Sequence, residues 1–364
     1  MKLKQPSYGT ILIWTKKAGL FTIQRPKEKA QDWVLIMDES IDVGHERLMV
    51  IYGIRASKIS FDRALTYTDL TPFFIKLGNH WNAETIKHEL ENIISCWGNI
   101  KYIVADGGNA ICKGIRLLYK IHVYDITHKI AWLLKKMYEN NESFISLTKE
   151  MSQMRFKCVC SDVSHIIPPK QRTNSRFMNL DILSQWGIKG LRCINSGKLK
   201  RTREYEKLQW LLKYKDFIME LASINHVITE IQTVLKTKGL SKQTIKQTNI
   251  ILSKIKFHNQ RTNFFKEELM IYLKTTKDNL PDDKNILCTS DIIESSFGKY
   301  KNYIAQNSMI GITNLSLCLA AFTNDLDAMK LKEGLERTTI NDLKNWTKDN
   351  IGETNLSKRR RVLL

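Results

Sequence analysis

The apolar positions of this chain change their period several times, and each change marks an element. Trp33, Val34, Leu35, Ile36 and Met37 form an unbroken apolar run that ends at Asp38. So short a run reads as a strand covered on both faces, with the acid at its open end. Ile100 to Ala105 makes a second such run and ends at Asp106, followed by Gly107 and Gly108. Gly44 to Arg47 reads as a turn, Leu48 to Ile54 as a strand, and Arg63 to Thr68 as another. Short polar turns between these predict an antiparallel meander. From Asn82 to Trp97 the apolar residues fall at 86, 90, 93, 94 and 97, which is helical spacing, with Asn82 as cap and Gly98 as stop. Helices over Asn109 to Tyr119 and Ile126 to Lys136 flank a short fifth strand, His122 to Asp125. Ahead of all this, residues 6–20 predict one helix closing at Gly19, and residues 22–31 a polar linker.

Beyond residue 137 the pattern turns helical and lysine-rich, as in Leu208 to Leu221 and Ile245 to Phe257, interrupted at Pro168 and Pro169. Ile286 to Lys301 predicts a helix start carrying Asp291 and Glu294, and Met309 to Phe322 is apolar enough to close a core. From residue 331 the chain is polar and predicts a mobile tail ending in Lys358 to Arg361, which binds anions without sequence preference. The expected fold class is therefore α/β, a mixed sheet with flanking helices interrupted by a large all-α insertion. The expected boundaries are 1–30 (helix and linker), 31–136 and 286–330 (the two parts of the core), 137–285 (insertion) and 331–364 (tail).

Charge changes the picture most. Of 364 residues, 57 are Lys or Arg and 37 Asp or Glu, a net charge of +20. A surface that positive attracts phosphate backbones. Biased base composition in the coding DNA is the competing account, but it would not by itself hold acids so far below bases. The candidate DNA-contacting residues are Arg172, Arg176, Lys198, Lys200, Arg201, Arg203, Lys299 and Lys301. No apolar run has the length of a membrane span, and the start lacks the apolar stretch of a signal peptide. Seven irregularly spaced cysteines argue for a reducing cytosol rather than a disulfide framework. A zinc site on Cys158, Cys160 and His165 would need a distant fourth ligand such as Cys193, so buried thiols are the simpler reading. Trp186 and Trp210 either stack on unpaired bases or fill a core.

Two strand ends carrying Asp38 and Asp106, with Glu294 reaching in from a helix, suit hard cations. Two Mg²⁺ ions about 4 Å apart would activate an oxygen nucleophile and stabilise the leaving oxygen of a phosphodiester. Asp38 would bridge the ions, Asp106 take one and Glu294 the other, while Gly107 and Gly108 leave room for a phosphate backbone. Each acid has a rival role: Asp38 and Asp106 in turns, Glu294 in a reciprocal helix cap with Asp291. Asp125 and His128, three apart at a strand-to-helix junction, are further candidate catalytic residues, to bind the metal, orient a catalytic group, contact DNA or cap the helix, with site support and cap the two leading roles.

The ordered set resembles the DDE-type transposases with an RNase H-like fold. It is similar to the mutator-like and related insertion-sequence groups, which carry an Asp/Cys-x-x-His motif after the second aspartate and a helical insertion before the glutamate. The matching positions are Asp38 in Ile-Met-Asp-Glu-Ser, Asp106 in Val-Ala-Asp-Gly-Gly-Asn, Asp125 and His128 in Tyr-Asp-Ile-Thr-His-Lys, and Glu294 in Ile-Ile-Glu-Ser-Ser-Phe-Gly. The segment from Pro168 to Leu180 is similar to part of the family's insertion. The resemblance spans about residues 6–325. It implies strand transfer at mobile-element ends with Mg²⁺ or Mn²⁺, double-stranded DNA (element ends and target) as partner, and a homodimer or higher oligomer. The expected location is the cytoplasm, at a bacterial nucleoid. The helix over residues 6–20 resembles the recognition helix of a helix-turn-helix whose earlier helices are absent, and a short packing helix fits equally well. Two other readings stand beside a transposase catalytic subunit: a non-catalytic DNA-binding derivative, and an RNase H-like nuclease.

Overall fold

A computed structural model describes residues 5–43, 46–78, 81–171, 176–197, 202–304, 311–323 and 327–363, with the side chains of all of these except 40–43, 176 and 304. In chain order come α1 (Tyr8–Gln24), β1 (Ala30–Val43), β2 (Glu46–Arg55), β3 (Thr71–Gly78), α2 (Ala83–Trp97), β4 (Gly98–Ala105), α3 (Asn109–Leu117) and β5 (Ile121–Tyr124). There follow α4 (Ile126–Tyr138), α5 (Glu142–Cys158), α6 (Leu180–Asn195), α7 (Arg203–Leu208), α8 (Lys215–Lys238), α9 (Lys242–Ser253) and α10 (Gln260–Asp278). The chain closes with α11 (Asp291–Ile304), α12 (Cys318–Phe322), α13 (Ala328–Arg337), α14 (Ile340–Asn350) and α15 (Asn355–Leu363). Two compact units result: Met1–Asp125 with Cys288–Leu364, and Ile126–Leu287. Among the described residues, no helix is long and apolar enough to cross a membrane.

The first unit is α/β, built on a five-stranded mixed sheet in the order β3-β2-β1-β4-β5. β1 pairs antiparallel with β2 and parallel with β4, and β4 pairs parallel with β5. The alternation of β1 decides what lies where. Leu35 and Met37 face one side, with Met49, Ile51, Ile103 and Ala105, against Ile86, Leu90, Ile111 and Ile115 of α2 and α3. Val34 and Ile36 face the other side and are fully buried, as are Val50, Tyr52 and Val104. There the Tyr52 hydroxyl donates to the Leu319 carbonyl at 3.0 Å and lies 3.5 Å from Ser296 Oγ, which ties α11 and α12 to that face.

Three expectations for this unit change. The third strand is Thr71–Gly78, not Arg63 to Thr68. Residues 63–69 instead form a polar loop, in which Arg63 clamps Asp69 through two 2.7 Å hydrogen bonds and Asp69 caps Thr66. Pro72 masks the true strand in the sequence, and it is tolerated because β3 is an edge strand whose register shifts beside it. Helix α1 does not stop at Gly19 but runs to Gln24. Gly19 is there because a Cβ would collide with the Leu317 carbonyl. Ala18, Leu20 and Thr22 are buried, so this half of α1 is a packing helix, while Tyr8, Ile11 and Trp14 are exposed. Finally, the segment after residue 331 is not a loose tail: α13 to α15 form, Leu343, Trp346 and Ile351 are buried, and Lys358 pairs with Glu46 at 2.6 Å.

Among the described residues, the regular elements of the second unit are helices, with one isolated bridge, Leu240 with Ile286. It begins at Ile126, so α4 belongs to it, whereas the sequence put the boundary at 137. Ile218, Leu221, Ile224, Ile228, Ile231 and Leu235 recur every three or four residues on α8 and are buried, the pattern of a helix packed along one stripe. The helix expected over Leu208 to Leu221 breaks at a 3₁₀ turn, Gln209–Tyr214. Trp186 and Trp210 pack on each other with centroids 6.3 Å apart, and the Trp186 indole donates to the Ile166 carbonyl.

Candidate active site

Met37 and Ala105 are paired neighbours on the parallel strands β1 and β4, and each is followed by an aspartate. The parallel pairing stops there: Asp106 follows the last residue of β4, whereas Asp38 lies inside β1, which runs on to Val43 paired with β2 and so is not the strand end the sequence suggested. Asp38 shares the parity of Ile36 and so belongs to the face on which α11 lies, while Asp106 stands just past β4, where strand alternation no longer assigns a face. Asp38 is 8% exposed and accepts the Glu39 N–H at 2.7 Å. Asp106 is half-buried and accepts the Gly108 N–H at 3.0 Å, which fixes its rotamer.

The glycines after Asp106 have a local reason. A Cβ on Gly107 would run into the Tyr124 ring, and one on Gly108 would meet Asp106 Oδ1 at 3.1 Å. The space expected to admit a phosphate backbone at Gly107 is therefore filled by Tyr124. The Asp106 charge is felt by its neighbours. Burial and then this carboxylate push the Tyr124 phenol up to about 12 and raise the Cys112 thiol. Burial lowers the His122 imidazole in spite of the same carboxylate. His122 Nε2 lies 3.3 Å from the Ala105 carbonyl and its Nδ1 3.7 Å from Cys112 Sγ.

Asp125 follows β5 and is fully buried. An isolated buried carboxylate is costly, and this one is hydrogen-bonded: Oδ2 accepts the Ser290 N–H at 2.5 Å and the Ser290 hydroxyl at 3.0 Å. Its own N–H donates to the Ala105 carbonyl at 2.8 Å. Burial, then Asp125 and Asp291, push the Cys288 thiol well above its ordinary value. Glu294 is half-buried in the first turn of α11, the helix that lies on the Asp38 face of the sheet. Asp291 is itself the first helical residue rather than the residue before the helix, where a reciprocal cap would need it. His128 is half-buried in the first turn of α4, in the helical unit.

These donors are carboxylate oxygens, the kind that a hard cation takes. Yet among the described residues no three His, Cys, Asp or Glu side chains are grouped closely enough to hold a metal ion. As they stand, the residues do not fit a closed two-ion site. The same holds for the zinc ligands considered above: Cys158 is buried, but Cys160 and Cys193 are exposed.

Of the basic candidates, Arg172, Lys198, Lys200 and Arg201 lie outside the described residues, and Arg176 is described only by its backbone, in a short 3₁₀ turn. Arg203 is exposed and pairs with Asp162 at 2.6 Å. The Lys299 ammonium sits 4.1 Å from the Tyr67 ring centroid and 5.5 Å from that of Phe322, and Lys301 is exposed. The sequence missed Ser290. A serine before a helix start is an N-cap signal, but nothing local to it points to Asp125.

No protein-family model matches the chain, and no curated protein does. Among solved structures it is similar to the Drosophila P element transposase strand transfer complex, with a TM-score of 0.44 and 14% identity over 90% of this chain and 86% of that one.

Proposed function

We propose that this chain is the catalytic subunit of a DDE-type DNA transposase with an RNase H-like core, which hydrolyses a phosphodiester and transfers the resulting 3′ end to target DNA. One observation carries the reading: Asp38 and Asp106 stand one step beyond the last residue pair of the parallel β1–β4 ladder, Met37 with Ala105, and α11, which bears Glu294, lies on the Asp38 face of the sheet. The strand order with two antiparallel and two parallel pairings supports the same reading. Mg²⁺ or Mn²⁺, as a pair of ions, is the proposed cofactor; Asp38, Asp106 and Glu294 would hold it only after drawing together from the positions they have here, where they form no ion site. Double-stranded DNA, both element ends and target, is the proposed partner, engaged by a dimer or larger assembly. The net charge of +20 supports a polyanionic partner.

What the side chains do follows from their surroundings. The Gly108 N–H and the Glu39 N–H donate to the carboxylates of Asp106 and Asp38 and orient them. Asp38 is buried, in a medium where charge–charge forces are stronger than in water. The non-catalytic alternative has its own observation in the absence of a grouped ion site among the described residues.

The test is joining of a labelled 3′-OH DNA end to a supercoiled plasmid in Mg²⁺, beside Asp38→Ala. Joining should fall by roughly 10³-fold or more, while salt-sensitive DNA binding persists. Equal joining by both proteins would remove Asp38 from the chemistry. Nicking without joining would favour the nuclease, and binding without either would favour the non-catalytic derivative.

A further inference from the structure

Ser290 and Asp125 meet where the chain leaves the sheet-bearing unit for residues 126–287 and where it comes back. Asp125 is bonded at both of its ends. Its backbone N–H holds the carbonyl of Ala105, the residue before Asp106. Its carboxylate takes two hydrogen bonds from Ser290, which precedes the first residue of α11 and stands four residues before Glu294. With no exposed surface, this carboxylate is bound in a low-dielectric setting where each donor counts for more than it would in water.

We infer that Asp125 and Ser290 are positioning residues: a clasp that sets α11, and with it Glu294, against the strand end that carries Asp106. The inference rests on the carboxylate reading above. Neither residue touches substrate. Local pairing does not fix where α11 starts, because α11 rejoins the sheet after a long excursion of the chain. The clasp supplies that register across 165 residues of separation.

The full-length chain tests this with Ser290→Ala and Ser290→Thr, since Asp125→Asn risks the fold itself. Two readouts are needed: the strand-joining rate at saturating DNA, and hydrogen exchange of the amides in α11. Ser290→Ala should slow saturated joining about tenfold through misplacement of Glu294, leave DNA affinity unchanged and speed exchange in the first turns of α11. Ser290→Thr, which keeps the hydroxyl, should restore both. Should Ser290→Ala join at the parent rate while Asp38→Ala does not join, the clasp is overturned and the carboxylate reading stands. Should Asp38→Ala join normally, the carboxylate reading is what fails. Exchange then decides for the clasp: unchanged protection of α11 in Ser290→Ala overturns it.

Discussion

Among the described residues, Asp125 in one unit and Glu220 in the other are buried carboxylates satisfied in different ways. Asp125 in the sheet-bearing unit receives a backbone N–H and a hydroxyl from Ser290. Glu220 in the helical unit, 6% exposed, receives the Arg261 guanidinium at 3.1 Å, the Asn259 amide at 2.9 Å and the Tyr138 phenol at 3.1 Å. Burial and then Glu220 push the Tyr138 phenol well above its ordinary value. The first carboxylate joins two distant ends of one chain path; the second pins α4, α8 and the start of α10 around a charged hub. A hub with a countercharge stabilises a unit whose described residues pair as strands at one bridge alone, Leu240 with Ile286. A carboxylate bound by dipoles fixes a register.

That contrast can be broken from the strong side first. Glu220→Ala would strand the Arg261 charge and should cost about 2–3 kcal/mol, less than for full burial because the Arg261 side chain keeps 35% exposure. Denaturant unfolding followed by Trp fluorescence reads it, since Trp186 and Trp210 report on the same unit. An unchanged midpoint would mean that the hub contributes packing alone. On the sheet side, Gly107→Ala should cost roughly 1–3 kcal/mol by overpacking against Tyr124. A Gly107→Ala, Tyr124→Ala double variant should lose less than the two single losses added together. Strict additivity would show that the glycine serves something other than the ring.

The smallest effect concerns acid. The hydrogen bonds from Arg63, then those from Thr66, hold Asp69 at about 2, below its ordinary 3.8. A depressed carboxylate adds stability above its unfolded value and loses it as pH falls through its folded value. Thermal melts between pH 4 and pH 2 should therefore fall more steeply for the parent than for Asp69→Asn. Solvent screening at this loop keeps the difference below about 1 kcal/mol.

Much of the sheet was legible because a doubly covered strand leaves an unbroken apolar run, as in Trp33 to Met37 and Tyr102 to Ala105. β3 was not, since Pro72 discouraged a strand where only an edge position can hold one. The C-terminal helices escaped notice because their buried apolar residues are few and diluted by charge, as with Leu343, Trp346 and Ile351 on α14 and at its end. For the candidate site, the strand-borne aspartates were visible as acids closing apolar runs. The partnership of Asp125 with Ser290 was not, because a contact spanning 165 positions leaves no periodic trace.

β1 also limits how this chain can vary. Its side chains alternate without interruption from Val34 to Asp38, between the α2 and α3 layer and the α11 layer. One residue inserted or deleted between Val34 and Asp38 would rotate the carboxylate into the hydrocarbon packed around Ile86 and Ile111, and bring Met37 or Glu39 to the opposite side. Length changes before Asp38 are therefore expected to be borne upstream of Ala30, in the connection from α1, where no neighbouring strand counts residues.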